Sequence, residues 1–225
     1  MARAAVFDVD GTLADTNHLH VTAWWEAFRQ AGHRVQTHAI HRAIGLGAED
    51  LIERLLGSER DREQDETISA AHKTLYGTYF ERLHAFEHAG RLLRTLAANG
   101  WTVVLATSAD EAELSALRRA IDADEVISAT ASADDVEARK PAPDPVLNAL
   151  ELAGAPAEGS VFVGDSLWDM KAGSRAGVTC VGLLCGGIPR ADLEAAGAAA
   201  IYDDPADLLA HLDRSPLGGS GPRGS

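Results

Sequence analysis

Asp8 and Asp10 stand two residues apart at the end of a short apolar run, and that spacing is the first sign of chemistry in the chain. In an extended segment, residues i and i+2 point the same way, so both carboxylates face one pocket. Two such acids repel unless one is protonated or a cation lies between them. Mg²⁺, which prefers oxygen ligands, would relieve that repulsion. Gly11 lets the chain turn directly after them. An isolated pair of this kind is explained equally well as an acidic strand-to-loop turn.

Three further stations carry polar groups. The apolar run 161–163 leads straight into Gly164-Asp165-Ser166, with Asp169 four residues after Asp165. At a helix start that spacing puts both acids on one face, where they also suit the positive end of the helix dipole. A buried strand ending in this way is better explained as a metal site. After the apolar run 102–106 come Thr107 and Ser108, whose hydroxyls and nearby N–H groups could hold a phosphate oxygen or simply cap a helix. Lys140 sits in Arg139-Lys140-Pro141-Ala142-Pro143, where the prolines stiffen the approach and would hold its charge in a fixed place, although most lysines are solvated.

The elements that must position these groups alternate along the chain. Strands are predicted at 3–8, 102–106, 125–128, 160–163 and 179–183, with helices at 91–99, 111–120, 144–153 and 167–176 and two short closing helices. Short strands alternating with helices imply parallel pairing through right-handed crossovers, with helices on both faces. The fold class is therefore α/β, a doubly wound parallel sheet, in which ligands bind beyond the carboxyl ends of the strands. Helical pieces at 18–31, 39–44, 49–56 and 65–83, punctuated by Gly45, Gly47 and Gly57, are too long for one crossover. They read as a helical cap inserted after the first strand. The expected organisation is a core of 1–15 and 86–213, a cap of 16–85, and a flexible tail over 214–225 rich in Gly, Ser and Pro.

Composition limits the partners. Apolar residues make up 46% and charged residues 24%, as in ordinary globular proteins. A net charge of −14, from 34 acids against 20 bases, repels nucleic acid and anionic membranes but leaves room for a local basic or metal site. Neither nucleic acid nor membrane is expected as a partner, and a cytoplasmic location is expected. Cys180 and Cys185 are too few for a disulfide framework and read as small buried residues.

In this order and each at a strand end, the four stations resemble the motifs of the haloacid dehalogenase superfamily. Asp8-Val9-Asp10-Gly11-Thr12-Leu13 is similar to its first motif, Thr107 to the second, Lys140-Pro141 to the third, and Gly164-Asp165-Ser166 with Asp169 to the fourth. The resemblance covers the chain to about residue 213 and implies a Rossmann-like core carrying a small α-helical cap. It further implies a Mg²⁺-dependent phosphatase acting on a small phosphorylated metabolite. Asp8 would be the nucleophile, Asp10 the general acid and base, and Thr107 and Lys140 would stabilise the phosphoryl oxygens. The metal would be held by Asp8, the Asp10 carbonyl, Asp165 and Asp169, and Ser108 would help hold the phosphate.

Within the family, dehalogenation is disfavoured because those relatives lack an acid two positions after the nucleophile. A β-phosphoglucomutase-type activity is the alternative, since Thr16, His20 and Trp24 look similar to the cap entry of those mutases. Against it, Gly45-Leu46-Gly47-Ala48-Glu49 holds no arginine after the cap glycine, and a glycine precedes Asp165 where the mutases carry an acid. A non-catalytic binding protein on the same fold is a third reading. His20 would bond Asp10 or gate the cap, while Arg42, Gly45, Gly47 and Lys73 would meet the leaving group. The cap is expected to hinge at 14–16 and 85–87. A monomer or homodimer is expected.

Overall fold

The computed structural model describes residues 2–132 and 138–218. Six parallel strands form one sheet in the order β3-β2-β1-β4-β5-β6. In chain order they are β1 (Ala4–Phe7), β2 (Thr102–Ala106), β3 (Ile127–Ala131), β4 (Val161–Gly164), β5 (Thr179–Leu183) and β6 (Ala200–Tyr202). The period of two decides how this sheet is covered. Ala5 and Phe7 of β1 join one apolar cluster with Leu92, Leu96 and Leu117, while Ala4 and Val6 join another with Val146, Met170 and Leu193. Helices α5 (Ala89–Ala98), α6 (Glu111–Ile121) and α10 (Pro205–Ala210) therefore lie on one face. Helices α7 (Asp144–Ala153), α8 (Leu167–Ala176) and α9 (Arg190–Ala196) lie on the other.

The helical block between β1 and α5 contains α1 (Asn17–Gln30), α2 (Thr37–His41), α3 (Ala48–Leu56) and α4 (Asp65–Gly77). It has a core of its own, in which Val21, Trp24 and Phe28 of α1 pack on Ile40, Leu51, Ile52 and Ile68. The two chain crossings beneath it run side by side: Ala14 bridges Ala85, Asp15 N donates to His84 O at 3.0 Å, and Phe86 N donates to Leu13 O at 2.9 Å. These lie at the two segments expected to hinge.

Four local differences from the sequence reading have physical causes. A sixth strand, β6, lies between the two closing helices, where an alanine-rich stretch reads as helix but three residues complete the open edge of β5. The third strand begins later than expected, at Ile127, because residues Asp124–Val126 form a 3-10 turn first. The helix expected over 65–83 stops at Gly77 and is followed by a separate 3-10 turn at Phe80–Arg82. The tail expected to begin at 214 is packed through at least 217: Leu217 is 1% exposed within the core, and Trp101 Nε1 donates to its carbonyl at 3.1 Å. Leu217→Ala should accordingly cost about 2–5 kcal/mol of stability in urea unfolding; an unchanged midpoint would mean this segment does not pack.

Cys180 is buried in β5 and Cys185 is partly buried, and they form no disulfide. Among the described residues no helix is long and apolar enough to cross a membrane.

Candidate active site

Because the sheet is parallel, the stations at the ends of β1, β2 and β4 emerge on one edge. They meet where the strand order reverses, between β1 and β4. Asp8 continues β1, its N–H donating to Val163 O at 2.9 Å, so the neighbouring strand fixes its backbone. Lys140, 132 residues away in sequence, forms an ion pair with Asp8 Oδ1. The same ammonium forms an ion pair with Asp169 Oδ1 at 2.8 Å and donates to Ala106 O at 3.2 Å. Asp169 is locked by a capping box at the start of α8: Ser166 N and Oγ donate to its Oδ2 at 3.0 and 2.6 Å.

Asp165 is held from the other side. Thr12 Oγ1 donates to its Oδ1 at 2.9 Å, with Asp8 Oδ2 a further 3.3 Å from the same hydroxyl. Asn17 Nδ2 donates to Asp165 Oδ2 at 2.8 Å and to Gly186 O at 3.1 Å. Two glycines make room for this arrangement. Gly11 has φ +76, and a Cβ there would come within 2.5 Å of Asp165 Oδ2; a Cβ on Gly186 would overlap the Asp165 carboxylate outright. Gly186→Ala should therefore cost about 1–3 kcal/mol and weaken the binding of a divalent cation at this carboxylate cluster. Thermal unfolding and a metal titration check both, and a variant with wild-type values in each would show that the site tolerates the methyl.

Asp8, Asp165 and Asp169 each present an oxygen within 4.8 Å of the others. All three are buried, with Lys140 as the cation among them. Burial is the main cause that pushes the Asp8 carboxyl well above its usual range, with Asp169 and Asp165 adding to it against the pull of Lys140. Burial and then Asp169 push Asp165 up to about 7. Burial opposes the Lys140 charge, but Asp169 and Asp8 outweigh it and raise its pKa. Three buried acids against one amine, all offering oxygen, form a donor set that fits a hard divalent cation such as Mg²⁺.

Asp10 faces the cap. Its Oδ1 accepts from Thr16 Oγ1 at 2.7 Å and lies 3.3 Å from His20 Nε2. Burial opposes its charge, but the His20 bond and charge hold its pKa below the usual value. His20 Nε2 also lies 3.4 Å from Glu113 Oε1. Burial disfavours the imidazolium, yet the bonds to Asp10 and Glu113 raise His20 to about 9. A cleft of about 180 Å³ opens between cap and core, reached by Asp8, Asp10, His20, Lys73, Ser108 and Glu113.

The other expected residues are placed as follows. Thr107 is buried at the end of β2, its Oγ1 accepting from Ala109 N at 3.1 Å, and Ser108 is exposed beside it. Gly45 reaches from the cap to the fourth station, where a Cβ would lie 2.7 Å from Ser166 Oγ. Lys73 lines the cleft 3.5 Å from Asp110. Arg42 departs from expectation: its guanidinium pairs with Asp192 of α9 at 2.9 Å on the exposed cap–core seam, so its charge is spent away from the cleft. Sequence reasoning assigned no role to Thr12, Asn17, Glu113, Arg139 or Gly186. Thr12 and Asn17 lie inside or just after the first motif, and Arg139 precedes Lys140, so their positions gave a signal. Arg139 lines the cleft and its side chain lies under Gly47. Glu113 and Gly186 gave none, since one reads as a surface helix acid and the other as a loop glycine.

Residues 2–177 match the sequence model of the haloacid dehalogenase-like hydrolases. The chain belongs to that family. Among its relatives, a phosphoglycolate phosphatase from Yersinia pestis is 31% identical over 190 residues, covering 82% of each chain. A hydrolase from Pseudomonas syringae superposes with a TM-score of 0.89 at 34% identity, covering 94% of this chain and 98% of that one. CbbY from Rhodobacter sphaeroides, solved in complex with phosphate, superposes with a TM-score of 0.77 at 27% identity over 95% of this chain and 100% of its own. As a haloacid dehalogenase-like hydrolase the chain has its six-stranded sheet and helical cap in the arrangement of these neighbours.

Proposed function

We propose that this hydrolase is a Mg²⁺-dependent phosphatase of small phosphorylated metabolites working through an aspartyl-phosphate. The observation that carries the reading is that Asp8 and Asp10 line one cleft while Lys140 ion-pairs with Asp8 and Asp165 and Asp169 cluster with it. The phosphatase name of the Yersinia pestis relative supports it.

An Asp8 carboxylate oxygen attacks phosphorus in line, forming the acyl phosphate as the ester P–O bond breaks. Asp10, on the cap side of Asp8, passes to the departing oxygen a proton taken from the His20 imidazolium 3.3 Å away. In the second half Asp10 takes a proton from the water that attacks phosphorus, releasing inorganic phosphate and restoring Asp8. Thr107, Ser108 and the Lys140 ammonium hold the phosphoryl oxygens. Asp8, Asp165 and the Asp10 carbonyl would hold Mg²⁺, with Asp169 direct or through water. When bound, the ion neutralises charge between the carboxylates and the phosphoryl group. A cleft of about 180 Å³ suits a leaving group of metabolite size. Gly45 and Lys73 reach the cleft from the cap and are proposed to meet that group. Closure of the cap about 14–16 and 85–87 would exclude water during transfer.

Phosphate release from a panel of metabolite monoesters, with Mg²⁺ or with EDTA, tests the reading. The panel includes β-glucose 1-phosphate with a trace of the 1,6-bisphosphate. Mg²⁺-dependent release supports the phosphatase. Glucose 6-phosphate formed with little free phosphate would replace it by the mutase.

A further inference from the structure

Glu113 has no part in the chemistry above, yet it lies 105 residues after Asp8 and 52 before Asp165 along the chain and still reaches the cleft beside His20.

 

We propose that Glu113 is a positioning residue, whose carboxylate on core helix α6 holds the cap imidazole of His20 against Asp10. This rests on the reading of Asp10 as the group that protonates the leaving oxygen. The geometry is of a ring held on several sides. His20 Nε2 meets Asp10 Oδ1 at 3.3 Å and Glu113 Oε1 at 3.4 Å. Its Nδ1 lies 3.2 Å from His72 Nε2. Above the plane, the Tyr76 ring stacks at 3.8 Å, and Trp24 stacks on His72 at 4.0 Å. His72, Tyr76 and Trp24 all belong to cap helices, so they travel with His20. Asp10 and Glu113 belong to the core. Glu113 is therefore the second core anchor for the ring, and its backbone is itself fixed where Glu113 N donates to Asp110 Oδ1 at 3.1 Å.

With the ring seated between both carboxylates, arrival of the cap and orientation of Asp10 become one event. Without Glu113, the imidazole keeps its stack but loses one of the two carboxylates at Nε2, and Asp10 is directed less well at the leaving oxygen. The loss falls on proton donation. An alkyl ester, whose leaving oxygen must be protonated, should suffer more than p-nitrophenyl phosphate, whose leaving group departs as a stable anion.

The experiment measures kcat/KM for the best alkyl monoester of the panel and for p-nitrophenyl phosphate, in Glu113→Ala, Glu113→Gln, His20→Ala and the Glu113→Ala/His20→Ala double variant. Thermal unfolding of each confirms that it folds. Glu113→Ala should lower kcat/KM for the alkyl ester by roughly 10- to 100-fold and for p-nitrophenyl phosphate by much less. Glu113→Gln, which keeps an acceptor oxygen, should recover most of the loss, and Glu113→Ala should add little once His20 is gone. Equal losses on both esters, or the same loss with and without His20, would overturn the inference and make Glu113 a structural or substrate-contacting residue. Wild-type rates in Glu113→Ala would overturn it while leaving the phosphatase reading intact. Wild-type release that is indifferent to Asp8→Asn would overturn both. If Glu113→Ala fails to fold, the Glu113→Gln and His20→Ala comparison across the two esters decides: a His20→Ala loss equal on both esters overturns the inference.

Discussion

Asp8→Asn is expected to reduce Mg²⁺-dependent phosphate release by roughly 10⁴-fold or more, the scale of removing a covalent nucleophile. The amide has the size and shape of the carboxylate, so the loss reports chemistry. Its nitrogen cannot attack phosphorus, and its oxygen is a poor nucleophile. Stability should move the other way. Burial, with Asp169 and Asp165, raises the Asp8 pKa against Lys140, so the folded chain carries the ionised form at a cost. A carboxyl whose folded pKa is raised contributes stability at low pH that is lost as pH rises through that pKa. At neutral pH in EDTA, the asparagine variant should therefore melt no lower than wild type. Wild-type turnover in the variant would remove Asp8 from the nucleophile role. A sharply lower melting temperature would mean its charge stabilises the fold.

Lys140→Met carries the second large effect. Met preserves much of the side-chain length but leaves Asp8 and Asp169 facing each other without the ammonium between them. Removing one partner from a buried ion pair costs about 3–5 kcal/mol, because the charge left behind has no compensation. In EDTA this should lower the melting temperature by roughly 10 °C for a chain of this size. Saturating Mg²⁺ should recover part of the loss, since a cation among the same carboxylates replaces some of the missing charge. Activity should fall by roughly 10²- to 10³-fold even in Mg²⁺, the scale of losing one fixed charge aimed at the phosphoryl oxygens. Calorimetry with and without the metal, alongside turnover, separates the two roles. An EDTA melting temperature equal to wild type would show that Lys140 does not balance the acids.

Much of this site was legible along the chain because its chemistry sits where local rules apply. The apolar runs before Asp8, Thr107 and Asp165 read as strands, and a parallel sheet must bring their ends to one edge. Asp165 and Asp169 do come together, but not as neighbours on one helix face, because Asp165 precedes the N-cap Ser166; the capping box of Ser166 and Asp169 lies within a single turn. What failed was less local. Arg42 looked like a substrate ligand, but a charge on a helix takes whichever acid the packed neighbour offers, here Asp192, 150 residues away. The alanine-rich segment around Ala200 has the propensity of a helix, and only the open edge of β5 makes it a strand. Leu217 looked like part of a linker because its glycine and proline neighbours dominate the composition, while its burial depends on Trp101 across the fold.

The sequence by itself determined the alternation of strands and helices, the three stations at the ends of β1, β2 and β4 and the insertion of a helical block after the first strand. Those features rest on periodicity, turn residues and short-range spacing, all carried within a few residues of one another. Only the tertiary structure decided which charges meet: Lys140 with Asp8 and Asp169, Asn17 with Asp165, and His20 between Asp10 and Glu113. Such pairings depend on how elements far apart in the chain pack, and a local pattern holds no record of the distance between them.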